Sequence, residues 1–137
     1  MSDFGKLLTA VITPFDNNGV LNTDTLWRLC KKLVHEKSDG LVLSGTTGES
    51  PNLTKEDRKI IYSTAKDSVG DKAKIIAGTG TYSTKESIEY TKMANDIGVD
   101  GIMIVTPYYS KPSQFGILKH FEDCLLYTSD AADDLTR

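Results

Sequence analysis

Cysteine is scarce. Cys30 and Cys124 are the two in 137 residues, too few and too far apart for a disulfide framework or a metal knuckle. No apolar run approaches the ~20 residues of a membrane helix, and the N-terminus lacks a charged-then-apolar leader. Basic residues are not in excess: 16 Lys and Arg stand against 19 Asp and Glu, a formal charge of −3. A field that would attract nucleic acid or an anionic membrane is therefore excluded. Histidine occurs twice, as His35 and His120. Neither has a partner at ligand spacing, so both read as surface or edge residues and no metal site is expected. Asp130, Asp133 and Asp134 lack the spacing and the glycine of a calcium loop. What remains is the mixture of a soluble globular domain, 39% hydrophobic and 26% charged, with the cytoplasm as its default place.

Short apolar runs alternate with helical patterns. Strands are expected over Leu7–Thr13, Leu41–Ser44, Lys74–Ala77 and Ile102–Val105. A helix is expected from about Thr23, because Leu26, Leu29, Cys30 and Leu33 share one face of a 3.6-residue period. Cys30 is thereby expected to be buried and inert, and Trp27 to be a partly exposed packing residue. Thr54 opens a helix that runs to Val69 and stops at Gly70. Ser83 with Glu86 has the spacing of a capping box, for a helix to Ile97 that Gly98 ends. Ser113 can cap a helix through Phe121. Lys31-Lys32 and Glu56-Asp57-Arg58 read as solvated helix faces. This alternation predicts a parallel sheet whose continuous apolar strands are covered on both faces. Asp39-Gly40 and Asp100-Gly101 enter two strands, and Thr13-Pro14 and Thr106-Pro107 leave two. Such repetition suggests a barrel of βα units, although a doubly wound sheet also fits.

In parallel α/β folds the chemistry sits where strands end. Residues 44–50 read Ser-Gly-Thr-Thr-Gly-Glu-Ser. Gly45 and Gly48 permit a sharp turn and close approach of the backbone to a ligand. The loop's N–H groups and the hydroxyls of Thr46 and Thr47 suit a small anion such as a carboxylate. It is not a phosphate loop, since the lysine is missing and Glu49 would repel phosphate. Taken alone, the stretch is equally a glycine-rich turn whose threonines satisfy local backbone. Gly78-Thr79-Gly80 leaves the third strand and suits close backbone approach. Tyr108-Tyr109 leaves the fourth, where a phenol can relay a proton, and Pro107 and Pro112 stiffen that loop. On its own a tyrosine pair is more often a packing feature, and its place at a strand's C-terminal end weighs against that reading.

Thr13-Pro14-Phe15, Gly-Thr-Thr-Gly-Glu-Ser at 45–50, Ile-Ala-Gly-Thr-Gly at 76–80 and Val-Thr-Pro-Tyr-Tyr-Ser-Lys-Pro-Ser-Gln at 105–114 come in a distinctive order. Together they resemble the dihydrodipicolinate synthase / N-acetylneuraminate lyase family, over residues 4 to about 123. Thr46-Thr47 and Lys-Pro-Ser-Gln favour its synthase branch. The resemblance implies the N-terminal half, about four βα units, of a (β/α)8 TIM barrel. It implies a class I aldolase chemistry without cofactor, in which pyruvate forms a Schiff base with a lysine and condenses with aspartate-4-semialdehyde on the route to diaminopimelate and lysine. By position, Thr47 would hold the pyruvate carboxylate with help from the Gly45–Gly48 backbone. Thr46 would join a proton relay completed by Tyr109 from a neighbouring subunit, so a homo-oligomer is implied. Ser50, Glu86 and Tyr108 match a dimer-interface cleft that binds lysine in many relatives. Tyr82, Lys55 and Arg58 depart from that cleft's pattern, and the extra cations would repel lysine, so weak feedback is expected.

The resemblance also implies parts not seen here: a second relay tyrosine, an arginine for the second substrate and the Schiff-base lysine. Lys111 and Lys119 lie in the wrong element to replace that lysine. The chain is therefore expected to be inactive alone, with a truncated barrel domain over 1–123 and a non-native tail over 124–137. Other readings are another pyruvate-dependent aldolase of the same superfamily, such as a neuraminate or keto-deoxy-sugar lyase, and a small doubly wound ligand-binding domain.

Overall fold

A computed structural model of the chain describes residues 3–128. The expectations for the acidic tail beyond 128 lie outside the described residues. Four strands, β1 (Leu8–Ala10), β2 (Gly40–Leu43), β3 (Lys74–Gly78) and β4 (Gly101–Met103), alternate with helices α1 (Thr23–His35), α2 (Lys55–Val69), α3 (Thr84–Ile97) and α4 (Gln114–Leu125). All strand pairs are parallel and the spatial order is the chain order, β1-β2-β3-β4. A doubly wound sheet must reverse its strand order at a switch point. This sheet does not, and steps one way round as a barrel does: it is the first half of a (β/α)8 barrel.

The helix starts follow the sequence signals. Asn22 caps α1 by accepting from Thr25 N. Thr54 and Asp57 form a complete reciprocal capping box at α2. At α3 the box is half made. Ser83 accepts from Glu86 N, but the Ser83 N–H goes to Thr81 Oγ1 instead of to the Glu86 carboxylate. Helix α4 runs four residues past the expected Phe121 and buries Cys124.

Period-two alternation divides the sheet into two faces. Leu41 pairs laterally with Ile75, and Leu43 with Ala77 and then Ile102. These residues join Leu26, Cys30, Ile61, Tyr62 and Ala65 in the core beneath the helices. The opposite face carries Val42, Ile76 and Gly101 in register. Among the described residues no helix covers it, and Leu8, Ile12, Met103 and Val105 on the two outer strands and their exits are exposed. The expectation of strands covered on both faces is corrected on this point. It holds for the helix side, because every crossover places its helix there.

The repeated Asp-Gly has one structural meaning at both places. Asp39 N donates to Leu7 O while the Asp39 carboxylate accepts from Leu7 N and Lys6 N. Asp100 N donates to Ile75 O while its carboxylate accepts from Ile75 N. Each aspartate closes the entry of one strand onto the strand before it. These backbone donors hold the Asp39 carboxyl below its ordinary pKa.

Candidate functional site

The loops at the C-terminal strand ends surround an open cavity of about 630 Å³, lined by Ser44, Gly45, Thr46, Ser50, Gly78 and Tyr108 among others. Glycine at Gly78 is required by the approach of β2. A Cβ there would lie 2.5 Å from the Ser44 carbonyl oxygen. At Gly80 a Cβ would collide with the Val105 backbone nitrogen. The β2 exit therefore leans on β3, and the β3 exit on β4, at distances that only glycine allows.

The loop over 45–50 is a self-bonded knot. Gly48 N and Ser50 N donate to Gly45 O, and Glu49 N donates to Thr46 O. Ser44 and Glu49 take the left-handed conformation, with φ of 56° and 58°, an uncommon state for residues other than glycine. The N–H groups at 48, 49 and 50 are thus spent inside the loop. This corrects the expectation that the whole backbone run offers donors. The N–H groups of Thr46 and Thr47 and both their hydroxyls have no partner among the described residues, and both threonines are exposed. The donors left for a ligand are concentrated at these two residues.

Two clamps hold the knot. The buried Thr13 hydroxyl donates to Gly48 O at 2.6 Å. On the other side, Arg58 Nη2 donates to both Ser50 O and Ser50 Oγ at 2.8 Å, while Nη1 donates to Gly78 O at 2.8 Å. The Tyr62 hydroxyl shares that carbonyl at 2.9 Å. Burial pushes the Tyr62 phenol up against the opposing charge of Arg58.

Arg58 is 1% exposed, with its guanidinium 4.4 Å from the Tyr90 ring centroid. The reading of Glu56-Asp57-Arg58 as a solvated face fails at this residue. The sequence signal that could have found it is local: Arg58 is followed by Ile61, Tyr62 and Ala65 at helical spacing, so it shares their inward face. Its neighbour in the lysine argument, Lys55, is an exposed residue 4.0 Å from Glu89.

Tyr108 lines the cavity and meets Tyr82 edge to face, with centroids 5.7 Å apart. Tyr109 is 96% exposed with φ of 71° and is not among the residues that line the cavity. Glu86 lies 3.4 Å from Thr81 Oγ1. The structure therefore groups Gly45, Thr46, Ser50 and Tyr108 around one space, places Thr47 and the buried Gly48 in the same knot, and leaves Tyr109 and Glu86 outside it. His120 is also corrected: it is 1% exposed, with Nδ1 2.8 Å from Thr84 Oγ1. Its Nε2 makes no well-formed hydrogen bond, and burial holds its pKa down. His35 is exposed, as expected.

Residues 3–132 match the model of the dihydrodipicolinate synthetase family. A 4-hydroxy-tetrahydrodipicolinate synthase from Desulforudis audaxviator is 52% identical over 119 residues, 87% of this chain and 40% of that protein. The solved dihydrodipicolinate synthase of Bacillus anthracis superposes with a TM-score of 0.90 at 42% identity, covering 94% of this chain and 44% of that one. The Acinetobacter baumannii synthase, solved in complex with pyruvate, superposes with a TM-score of 0.89 at 32% identity, over 93% of this chain and 44% of that one. The chain spans about 40% of the length of such curated relatives.

Proposed function

The chain belongs to the dihydrodipicolinate synthetase family, and on that premise we propose that it supplies the keto-acid-gripping half of a synthase site that condenses pyruvate with aspartate-4-semialdehyde. The observation that carries this reading is the set of unspent donors at Thr46 and Thr47, at the end of β2 and fixed from both sides. Two N–H groups and two hydroxyls on a rigid knot suit one carboxylate, because such donors need no reorganisation when the anion arrives. Thr47 takes the carboxylate. Thr46, on the cavity wall, takes its place in a proton relay. Tyr109 does not line the cavity of its own chain and is 96% exposed. A second copy is the natural recipient of that ring, which supports a homo-oligomer.

The strand-end loops of β1, β2 and β3 contain no lysine, and Lys111 in the β4 exit is exposed. The Schiff-base amine is therefore assigned to residues other than those described, and this chain alone is inactive. In the lysine cleft implied by Ser50, Glu86 and Tyr108, Ser50 is already engaged by the cationic Arg58, and Lys55 adds a second cation near α2's start. Feedback by lysine is accordingly weak.

The test is a pyruvate titration of the isotope-labelled chain, followed by borohydride reduction and mass measurement. Millimolar pyruvate should shift the Thr46 and Thr47 amides in the native chain, leave them still in Thr47→Val, and add no mass on reduction. Amides unmoved in the native chain overturn the grip. Mass gained at Lys111 overturns the assignment of the amine.

A further inference from the structure

We infer that Arg58 is the positioning residue of the 45–50 loop, holding Thr46 and Thr47 at a fixed place over the cavity by tying the loop's far end to the end of β3. The inference deepens the synthase reading and rests on it for what the loop grips.

The guanidinium is buried and all three of its bonds go to neutral oxygens: Ser50 O, Ser50 Oγ and Gly78 O, each at 2.8 Å. No carboxylate pairs with it among the described residues. A buried cation without an acidic partner is costly, and stability alone gives little reason to keep one. Its geometry explains what it does. One planar fork reaches the end of β3 and the far end of the loop at once, which a lysine ammonium cannot do in the same fixed plane. The Tyr90 ring below fixes that plane. Gly78 is also where the Ser44 backbone comes closest to β3, so the fork grips the junction from which the loop departs and the residue at which it ends. Between them the knot is held by its own backbone bonds and by the Thr13 hydroxyl on Gly48 O. Release of Ser50 would leave the loop held by Thr13 alone.

Charge and geometry can be separated. Arg58→Lys keeps the charge and loses the fork. Ser50→Ala keeps the guanidinium and removes one acceptor. Amide hydrogen exchange of the chain, without substrate, reads the loop through Gly48, Glu49 and Ser50, and the core through Leu43 and Ile75. Both variants should speed exchange of the loop amides by roughly tenfold, the effect of losing about one hydrogen bond, while the core amides keep their rates. Ser50→Ala guards against a lysine variant that does not fold. In an assembled enzyme the same Arg58→Lys change should raise the pyruvate KM more than it lowers kcat. Loop exchange that is unchanged, or that rises equally in loop and core, overturns the inference. Because exchange needs no pyruvate, that failure is distinct from failure of the synthase reading.

Discussion

The Thr13 hydroxyl donates to the Gly48 carbonyl at 2.6 Å, across 35 positions of sequence. It joins the exit of β1 to the middle of the β2 loop, and both groups are buried. Thr13→Val keeps the shape and strands the carbonyl. The expected cost is about 1–3 kcal/mol of unfolding free energy, with faster exchange at Gly48, measured by urea denaturation and amide exchange. An unchanged midpoint would remove this bond from the account of how the loop is held.

Gly78→Ala should be far more damaging than an average glycine substitution. The new methyl would meet backbone, the Ser44 carbonyl oxygen at 2.5 Å, and backbone cannot swing aside as a side chain can. A loss of at least ~2 kcal/mol is expected from overpacking of this kind. Gly45→Ala is the comparison, since its nearest neighbour is the flexible Met103 methyl at 3.2 Å. Thermal melts of the two variants side by side decide the matter.

His120 gives the fold a pH dependence. Burial lowers its pKa from the ordinary 6.5, against the opposing Val105 backbone and Asp123 charge. The unfolded chain therefore takes up the proton more readily than the fold, and stability declines as pH falls through 6.5. His120→Gln should flatten the melting temperature between pH 7.5 and 5.5 relative to the native chain. Parallel curves would show that another group governs that window.

Cys30 and Cys124 are both fully buried, with thiols pushed up to about 11 by burial. Neither should react with an aromatic disulfide reagent at pH 8 while the chain is folded, and both should react in denaturant. Rapid labelling of Cys124 alone would mean that the end of α4 opens independently of the core.

The helical half of the fold was legible because its signals are local. Caps at Thr54, Ser83 and Ser113 and the stop at Gly98 each depend on a few neighbouring residues, and the structure places them as the sequence suggested. The strand-end loops were legible as a set through their order. Arg58 and His120 were not, because the bonds that bury them reach 20 residues to Gly78 and 36 residues to Thr84. Their polarity argued for solvent, and only tertiary partners argued otherwise. The spent N–H groups of the β2 loop were hidden for a related reason: composition shows how many donors a loop has, whereas its folding decides how many are left.

The two Asp-Gly entries say something about how the sheet is assembled. The reciprocal bond pair at Asp39 fixes β1 against β2, and that at Asp100 fixes β3 against β4. Between β2 and β3 the corresponding place has only a backbone bond, Lys74 N to Asp39 O. Alignment is thus written twice, at two of the three neighbouring pairs, and among the described residues the β2/β3 seam carries no such latch. A nick in the connection between α2 and β3 would leave both latches intact, and the two βαβ pieces could re-form the sheet by association. What holds that middle pair in the uncut chain is its longer ladder, four paired residues against three on either side, and the Arg58 and Tyr62 bonds from α2 to Gly78.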